Sequence, residues 1–150
     1  MKILLPDGYA TSKDLILDML RSARTIAVVG LSSKPFRPSG GVAEYLLSVG
    51  YKIIPVNPNE KEIFGLRSYA SLDEVPDAID IVDVFRKAPD VPPVADAAIE
   101  KGARVLWLQQ GIVNEEAGEK ARRAGLLVVM DACMFVEHRK RKGQLGLSGG

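Results

Sequence analysis

The segment from Gly30 to Arg37 carries the side chains best suited to binding an anion. It follows an apolar run that ends at Gly30, and a helical pattern begins near Gly40. Free backbone N–H groups and the helix dipole at such a point favour a negative charge. Hydroxyl donors and two cations are added by Ser32, Ser33, Lys34 and Arg37. The pattern suits a pyrophosphate, and it is equally consistent with an ordinary strand-to-helix loop whose cations are solvated.

This loop departs from the glycine fingerprint of NAD sites. Gly30-Leu31-Ser32 has serine where the pattern G-x-G-x-x-G requires its second glycine. An NAD site also uses an acid after the second strand to accept the ribose hydroxyls, and Val56-Asn57-Pro58 offers asparagine there. Cations lie in the same region at Arg37, Arg86 and Lys87. A ligand with an extra phosphate, such as coenzyme A (CoA) or NADP, therefore fits better than NAD.

Other candidate residues lie where further strands end, because ligands of doubly wound sheets bind outside the carboxyl ends of the strands. That rule selects the segments Asn57-Pro58, Phe85 to Lys87, Gln109 to Gly111 and Asp131 to Cys133. Cys133 is the only cysteine, and it could form a mixed disulfide with a CoA thiol or simply pack in the core.

Catalytic and metal chemistry have little support in the sequence. The only histidine, His138, lies in a basic run outside the strand-end loops, so we expect it at the surface or near a helix C-terminus. One Cys and one His are too few soft ligands for a metal site. Asp83 and Asp131 each suit a simple role at a strand end, and Trp107 suits the core. We therefore expect no set of acid, base and nucleophile beside the loop.

Five apolar runs predict the strands that position these residues, and their continuity indicates cover on both faces, as in a parallel sheet. The runs are Thr25 to Gly30, Tyr51 to Val56, Ile81 to Phe85, Arg104 to Leu108 and Leu126 to Met130. Helices are predicted after a hydroxyl cap at Thr11, from near Gly40 to Leu47, over Val91 to Lys101, from Asn114 to Arg123, and from near Cys133. The alternation predicts an α/β fold, Rossmann-like and doubly wound, with a mostly parallel five-stranded sheet and helices on both faces.

The composition indicates one soluble globular domain over residues 1–150. Of the 150 residues, 47% are hydrophobic and 26% charged, and the net charge of +1 gives no field that would attract nucleic acid or a membrane. No apolar run approaches the roughly 20 residues of a membrane span, and Met1 to Pro6 is too short for a signal peptide. We expect a cytoplasmic protein, a solvated basic run from His138 to Lys142, and a loose end over residues 143–150.

The order and spacing of several stretches resemble the small bacterial CoA-binding proteins, whose fold matches the CoA-binding domain of succinyl-CoA synthetase alpha subunits. The resemblance covers about residues 12 to 140. Its matching stretches are Ile26 to Ser32, Lys34-Pro35, Arg37-Pro38, Gly50-Tyr51, Ile54 to Pro58, Ser71-Leu72, Asp83 to Arg86, Trp107 to Gly111 and Met130 to Cys133.

This resemblance implies CoA as the ligand and a role for each matching residue. It implies that the phosphates are held by Gly30, Ser32, Lys34 and Arg37. It implies that the adenosine or ribose is lined by Val56, Asn57 and Pro58. It implies that the nucleotide or the start of the pantetheine arm is flanked by Phe85 and Arg86, and that the exit of the arm lies by Gln109 and Gly111. Ligase chemistry is not implied, because those synthetases use a phosphorylated histidine from a second domain.

The leading hypothesis is a stand-alone module that binds CoA or an acyl-CoA, with no identifiable catalytic residue. One alternative is an NAD(P)-binding redox enzyme or sensor domain. Another is a non-catalytic subunit of an acyl-CoA enzyme whose partner chain supplies the chemistry, and a further one is a domain that has lost its ligand. An apolar face on the first or last helix could also serve a homodimer.

Overall fold

Strands and helices alternate along most of the chain, as the sequence predicts. The computed structural model describes residues 1–145. In chain order its elements are β1 (Lys2–Leu4), α1 (Leu15–Ser22), β2 (Thr25–Val29), α2 (Pro38–Ser48), β3 (Lys52–Val56), β4 (Glu62–Ile63), β5 (Leu66–Arg67), β6 (Ile81–Val84), α3 (Val91–Lys101), β7 (Val105–Leu108), α4 (Glu115–Arg123), β8 (Leu127–Met130), α5 (Met134–Lys140) and α6 (Lys142–Leu145). Short 3-10 turns span Leu72–Glu74 and Ala88–Asp90.

The main sheet has the strand order β1-β8-β7-β6-β2-β3. All neighbours from β8 to β3 are parallel. The chain runs from β2 to β3 on one side and then crosses back over β2 to form β6. The strand order therefore reverses between β2 and β6, and a ligand crevice is expected outside the carboxyl ends of these strands.

Helices cover both faces of the sheet and create two apolar layers. Ile26 and Val28 of β2 point towards α1, α2 and α5. Their neighbours Ala27 and Val29 point towards α3 and α4. Because successive strand residues face opposite sides and both sides are covered, β2 has no polar alternation. This arrangement confirms the predicted α/β class.

The prediction of five strands is wrong, because the main sheet has a sixth strand, β1, at its edge. β1 pairs with β8 in the antiparallel direction, with Lys2 opposite Met130 and Leu4 opposite Val128. Three residues are too few to show a period in the sequence, so this strand gave no signal. The small hairpin of β4 and β5 was not predicted either. Its two-residue turn is formed by Phe64 and Gly65, whose positive φ angles of 55° and 74° suit such a turn.

Helix starts agree with the sequence for α3, α4 and α5, and they differ for α1 and α2. The Asn114 side chain accepts a hydrogen bond from the Ala117 N–H at 3.0 Å, as predicted for a cap. The first helix is capped by Asp14 rather than by Thr11, because the Asp14 carboxylate accepts the N–H of the third helical residue at 3.1 Å. The helix expected near Gly40 begins at Pro38, whose fixed φ suits the first helical position.

The basic run near the end of the chain is only partly solvated, which corrects the prediction. His138 is 1% exposed, and its Nδ1 lies 2.8 Å from the Tyr45 hydroxyl. Burial lowers the pKa of His138 below its usual range. The Arg141 guanidinium donates to Asp14 at 2.8 Å and to Glu137 at 2.9 Å. Residues that the sequence predicts to be solvated are thus covered by side chains of α1, α2 and α5.

The end of the chain was predicted to be loose over residues 143–150. Residues 143–145 belong to α6, and the remainder of that prediction lies outside the described residues. Within residues 1–145, no helix is long and apolar enough to cross a membrane.

Candidate functional site

A cavity of about 930 Å³ opens at the carboxyl edge of the main sheet, where the strand order reverses. It is lined by Gly30, Ser32, Ser33, Lys34, Arg37, Pro38, Ser39, Val42, Asn57, Asn59, Glu60, Phe85, Arg86, Lys87, Ala88, Gln109, Gln110, Gly111, Ile112 and Cys133. The structure therefore brings together the residues that were given a ligand role from the sequence, except Val56 and Pro58. Asp131 and Ala132 of the selected segments do not line the cavity either.

Those two residues do not line the cavity. Val56 is 3% exposed, and its side chain packs in the apolar layer beneath α3 and α4. Its carbonyl accepts the Gly30 N–H at 2.9 Å, so Val56 fixes the start of the loop. Pro58 is exposed on the connection that follows β3. Only Asn57 of the predicted trio reaches the cavity.

Gly30 has to be glycine for two reasons. Its φ of +90° is a conformation that side chains with a Cβ rarely adopt. A Cβ at this position would also lie 2.5 Å from the carbonyl oxygen of Phe85, which belongs to the neighbouring strand end. The chain thus passes close to the end of β6 at the start of the loop from Gly30 to Arg37.

Side chains hold the loop in shape without a ligand. The Ser32 N–H donates to Ser39 Oγ at 3.1 Å, and the Lys34 N–H donates to Ser32 Oγ at 3.1 Å. The Asn57 amide donates to the Leu31 carbonyl at 2.9 Å. Ser32 and Asn57 therefore stabilise the conformation of the loop through these hydrogen bonds. Ser39 is 2% exposed and was not recognised in the sequence.

Glu60 is an acid beside the loop that was not singled out from the sequence. The Ser33 N–H donates to Glu60 Oε2 at 3.1 Å, and the Ser33 hydroxyl donates to Oε1. These bonds hold the pKa of Glu60 below its usual range, and the positive charge of Lys34 contributes further. The sequence gives no signal for this contact, because it depends on how the connection between β3 and β4 folds back over the loop.

Four cations give the cavity a positive character. Lys34, Arg37, Arg86 and Lys87 line it, and none of them forms an ion pair with any residue from 1 to 145. Arg37 also precedes the first turn of α2 without a side-chain cap, which leaves first-turn N–H groups free to donate. With Glu60 as the one lining carboxylate of the described chain, the charge balance favours an anionic ligand.

At the opposite end of the cavity, Gln109 presents a free amide nitrogen beside Cys133. Gln109 is 5% exposed, and its Oε1 accepts the Met134 N–H at 3.1 Å. Because that bond fixes the oxygen, Nε2 points the other way, and it has no partner among residues 1–145. Cys133 is half-buried and lines the cavity, so it is more accessible than a core cysteine. Gly111 is held by its N–H, which donates to the Asp131 carboxylate at 2.7 Å.

Two residues of the sheet lie away from the cavity. Trp107 is fully buried, as predicted, and its indole N–H donates to the Ala132 carbonyl at 2.8 Å. Asp83 was expected to have a simple role at a strand end. It is instead fully buried, and neither carboxylate oxygen has a hydrogen-bond partner in the described chain. Burial raises the pKa of Asp83 well above its usual range.

Several lining residues were not named from the sequence. They are Pro38, Ser39, Val42, Asn59, Glu60, Ala88 and Ile112. Most follow a strand end by a few residues or lie in the first turns of α2, so their position depends on how each connection folds back over the sheet.

The fold and site define the class of protein: a Rossmann-like α/β domain with a positively charged cavity at the point where the strand order reverses. Residues 24–139 match the protein family described as a CoA binding domain. The chain belongs to that family.

The chain is similar to proteins of different lengths. YneT of Bacillus subtilis, described as uncharacterized, is 44% identical over 131 residues, which cover 87% of this chain and 97% of YneT. The alpha subunit of the ADP-forming acetate–CoA ligase I of Pyrococcus furiosus is 34% identical over 129 residues, covering 75% of this chain and 28% of that subunit. A solved structure of a hypothetical protein from Pyrococcus horikoshii OT3 superposes with a TM-score of 0.83 at 40% identity, covering 93% of this chain and 98% of that one.

Proposed function

We propose that this protein is a stand-alone module that binds CoA or an acyl-CoA, with the diphosphate at the loop from Gly30 to Arg37. The observation that carries the proposal is the cavity, which joins that loop, four cations without an ion-pair partner in residues 1–145, and the ends of the central strands. Membership of the CoA-binding family supports the same ligand class. As the sequence suggested, we place this function in the cytoplasm.

The order of the strands suggests how the ligand lies. Asn57 follows β3, the phosphate loop follows β2, Arg86 follows β6, Gln109 follows β7 and Cys133 lies just beyond β8. Neighbouring strands are about 4.8 Å apart, so roughly 14 Å separate the ends of β2 and β8. An extended pantetheine arm can follow this edge from the diphosphate towards Cys133, while the nucleoside turns towards Asn57.

The amide nitrogen of Gln109 supports this direction for the arm. Gln109 lines the cavity, and a ligand carbonyl there would accept a hydrogen bond from its amide N–H. Both the amides of the pantetheine arm and the thioester of an acyl-CoA offer such a carbonyl. Because the Gln109 oxygen is already bonded to the backbone of α5, the donor is fixed before the ligand arrives.

A second candidate is a CoA-binding subunit that works with a catalytic partner chain. The Pyrococcus furiosus ligase subunit favours it, because the chain spans only about 28% of that protein. A mixture of this protein with its partner would then turn over a substrate that neither converts alone. We assign no catalytic residue to the chain itself.

Isothermal calorimetry with CoA, acetyl-CoA, NAD, NADH, NADP and ATP tests the proposal. We expect CoA or acetyl-CoA to bind most tightly. The variant Lys34→Ala should weaken that binding by about 1–3 kcal/mol if the ammonium group bonds a phosphate. Lys13→Ala is the matched control, because Lys13 is exposed and does not line the cavity. Tight binding of NAD or NADH without binding of CoA would refute the proposal.

A further inference from the structure

The carboxylate of Glu60 occupies donors at the centre of the phosphate loop. Both hydrogen-bond donors of Ser33, its N–H and its hydroxyl, are directed at this one carboxylate. The Asn57 amide nitrogen lies 3.5 Å from the same group. The side chain of Glu60 therefore sits where the anion of a ligand would be received.

A ligand phosphate cannot share these donors with Glu60. Each hydrogen of Ser33 serves one strong acceptor, and two anions at hydrogen-bond distance repel each other. Glu60 is half-exposed on the connection between β3 and β4, and its backbone makes only a long 3.5 Å bond to Asn57. The side chain can therefore leave Ser33 without unfolding a strand.

We propose that Glu60 is a specificity-determining residue that competes with the ligand phosphate for Ser33 and is displaced when the ligand binds. This inference rests on the proposed function, because it concerns the same cavity. Its consequence is that binding exchanges one anion for another. A ligand must carry enough negative charge at Ser33 to displace the resident carboxylate, so weakly charged ligands are disfavoured.

Displacement of the Glu60 carboxylate should also make the ligand affinity depend on pH. The cations that line the same cavity as Glu60 are Lys34 and Arg37 from the loop and Arg86 and Lys87 from the connection after β6. A displaced carboxylate lies close to the ligand phosphates and binds a proton more readily than one bonded to Ser33. The affinity of the unmodified protein should therefore rise as the pH falls, and the affinity of Glu60→Gln should rise less.

Calorimetry on the unmodified protein, Glu60→Gln and Glu62→Gln tests the competition. The probes are dephospho-CoA, whose diphosphate does not titrate near neutral pH, and inorganic pyrophosphate. Glu60→Gln should tighten binding of both about tenfold, which equals about 1.4 kcal/mol. Glu62→Gln removes the same charge from an exposed site outside the cavity and should change the affinity less than about twofold. Equal affinities of the two variants, or weaker binding by Glu60→Gln, would overturn the inference.

The outcomes separate this inference from the proposed function. Tighter pyrophosphate binding by Glu60→Gln, with no CoA binding by any variant, would support the role of Glu60 and refute the CoA assignment. CoA binding with the same affinity in all three proteins would support the CoA assignment and refute the role of Glu60. In the absence of ligand, the NMR signal of the Ser33 amide should shift with pH in the unmodified protein and not in Glu60→Gln. If neither anion binds to any variant, both proposals fail.

Discussion

The buried carboxyl group of Asp83 should make the stability of this protein depend on pH. Asp83 lies on β6 between Val28 of β2 and Trp107 of β7, and it is fully buried. Neither oxygen has a hydrogen-bond partner within residues 1–145. Because burial penalises the charged form, the pKa of Asp83 rises well above its usual range and the folded protein holds the neutral acid.

The sign and size of the effect follow from proton linkage. An unfolded Asp loses its proton above a pKa of about 3.9, whereas folded Asp83 keeps it to a higher pH. Between these two values the folded state binds more protons, so the free energy of unfolding falls as pH rises. The slope cannot exceed the free energy of one proton per pH unit, so at most about 3 kcal/mol is lost between pH 5 and 7.

Urea unfolding of the unmodified protein and Asp83→Asn at pH 5, 6 and 7 measures this slope. The free energy of unfolding of the unmodified protein should fall relative to that of Asp83→Asn as pH rises. His138, whose pKa is lowered by burial, gives the opposite slope, but it is present in both proteins and cancels. Asp73→Asn is the control, because Asp73 is exposed. Parallel curves for the unmodified protein and Asp83→Asn would show that the reasoning is wrong.

Three further predictions use the same measurements or a mass spectrum. Tyr45→Phe should lower the free energy of unfolding by about 1–3 kcal/mol, because it leaves the buried Nδ1 of His138 without its partner; Tyr9→Phe, at an exposed phenol, should change it little, and equal effects would contradict the role of the contact. Gly30→Ala should destabilise the protein by about 3 kcal/mol or more, because its φ is positive and its Cβ would meet Phe85; Gly41→Ala, with open space around its Cβ inside α2, should be neutral or stabilising, and a folded Gly30→Ala of normal stability would refute the close approach. Incubation with CoA disulfide should add one CoA to Cys133, whose thiolate attacks one sulfur and releases the other CoA as a thiol. Cys133→Ser should remain unmodified, and an unmodified Cys133 would argue against an arm that ends there.

The parallel strands could be predicted because a strand that is buried on both faces needs apolar side chains at consecutive positions. Leu126 to Met130 is apolar at every position and its counterparts are mostly apolar, as strands that are covered on both faces require. β1 could not be found in this way, because its three residues gain their structure only by pairing with β8. The burial of His138 was missed for a related reason: its cover comes from Tyr45 on α2, far away in the sequence.

The candidate site was predictable where a strand end places a residue directly, as it does for Gly30, Asn57 and Gln109. It was not predictable where a connection folds back over the sheet. Glu60 is the clearest example, because nothing in the run from Asn57 to Glu60 indicates that its carboxylate turns towards Ser33. Long-range contacts of this kind depend on the path of the chain and leave no period in the sequence.

Glu60 also changes the argument that separated CoA from NAD. The sequence disfavoured NAD because asparagine follows the second parallel strand, yet the structure supplies a carboxylate at that edge from a residue further along. If Glu60 stays in place, it could accept ribose hydroxyls, and the diphosphate would have to rely on Lys34, Arg37 and the first turn of α2. If Glu60 leaves, the Ser33 donors become free for phosphate. If Glu60 binds a ribose, removing its charge weakens ligand binding; if Glu60 competes with a phosphate, removing its charge tightens ligand binding. The sign of the Glu60→Gln effect therefore separates NAD-like ligands from CoA-like ligands.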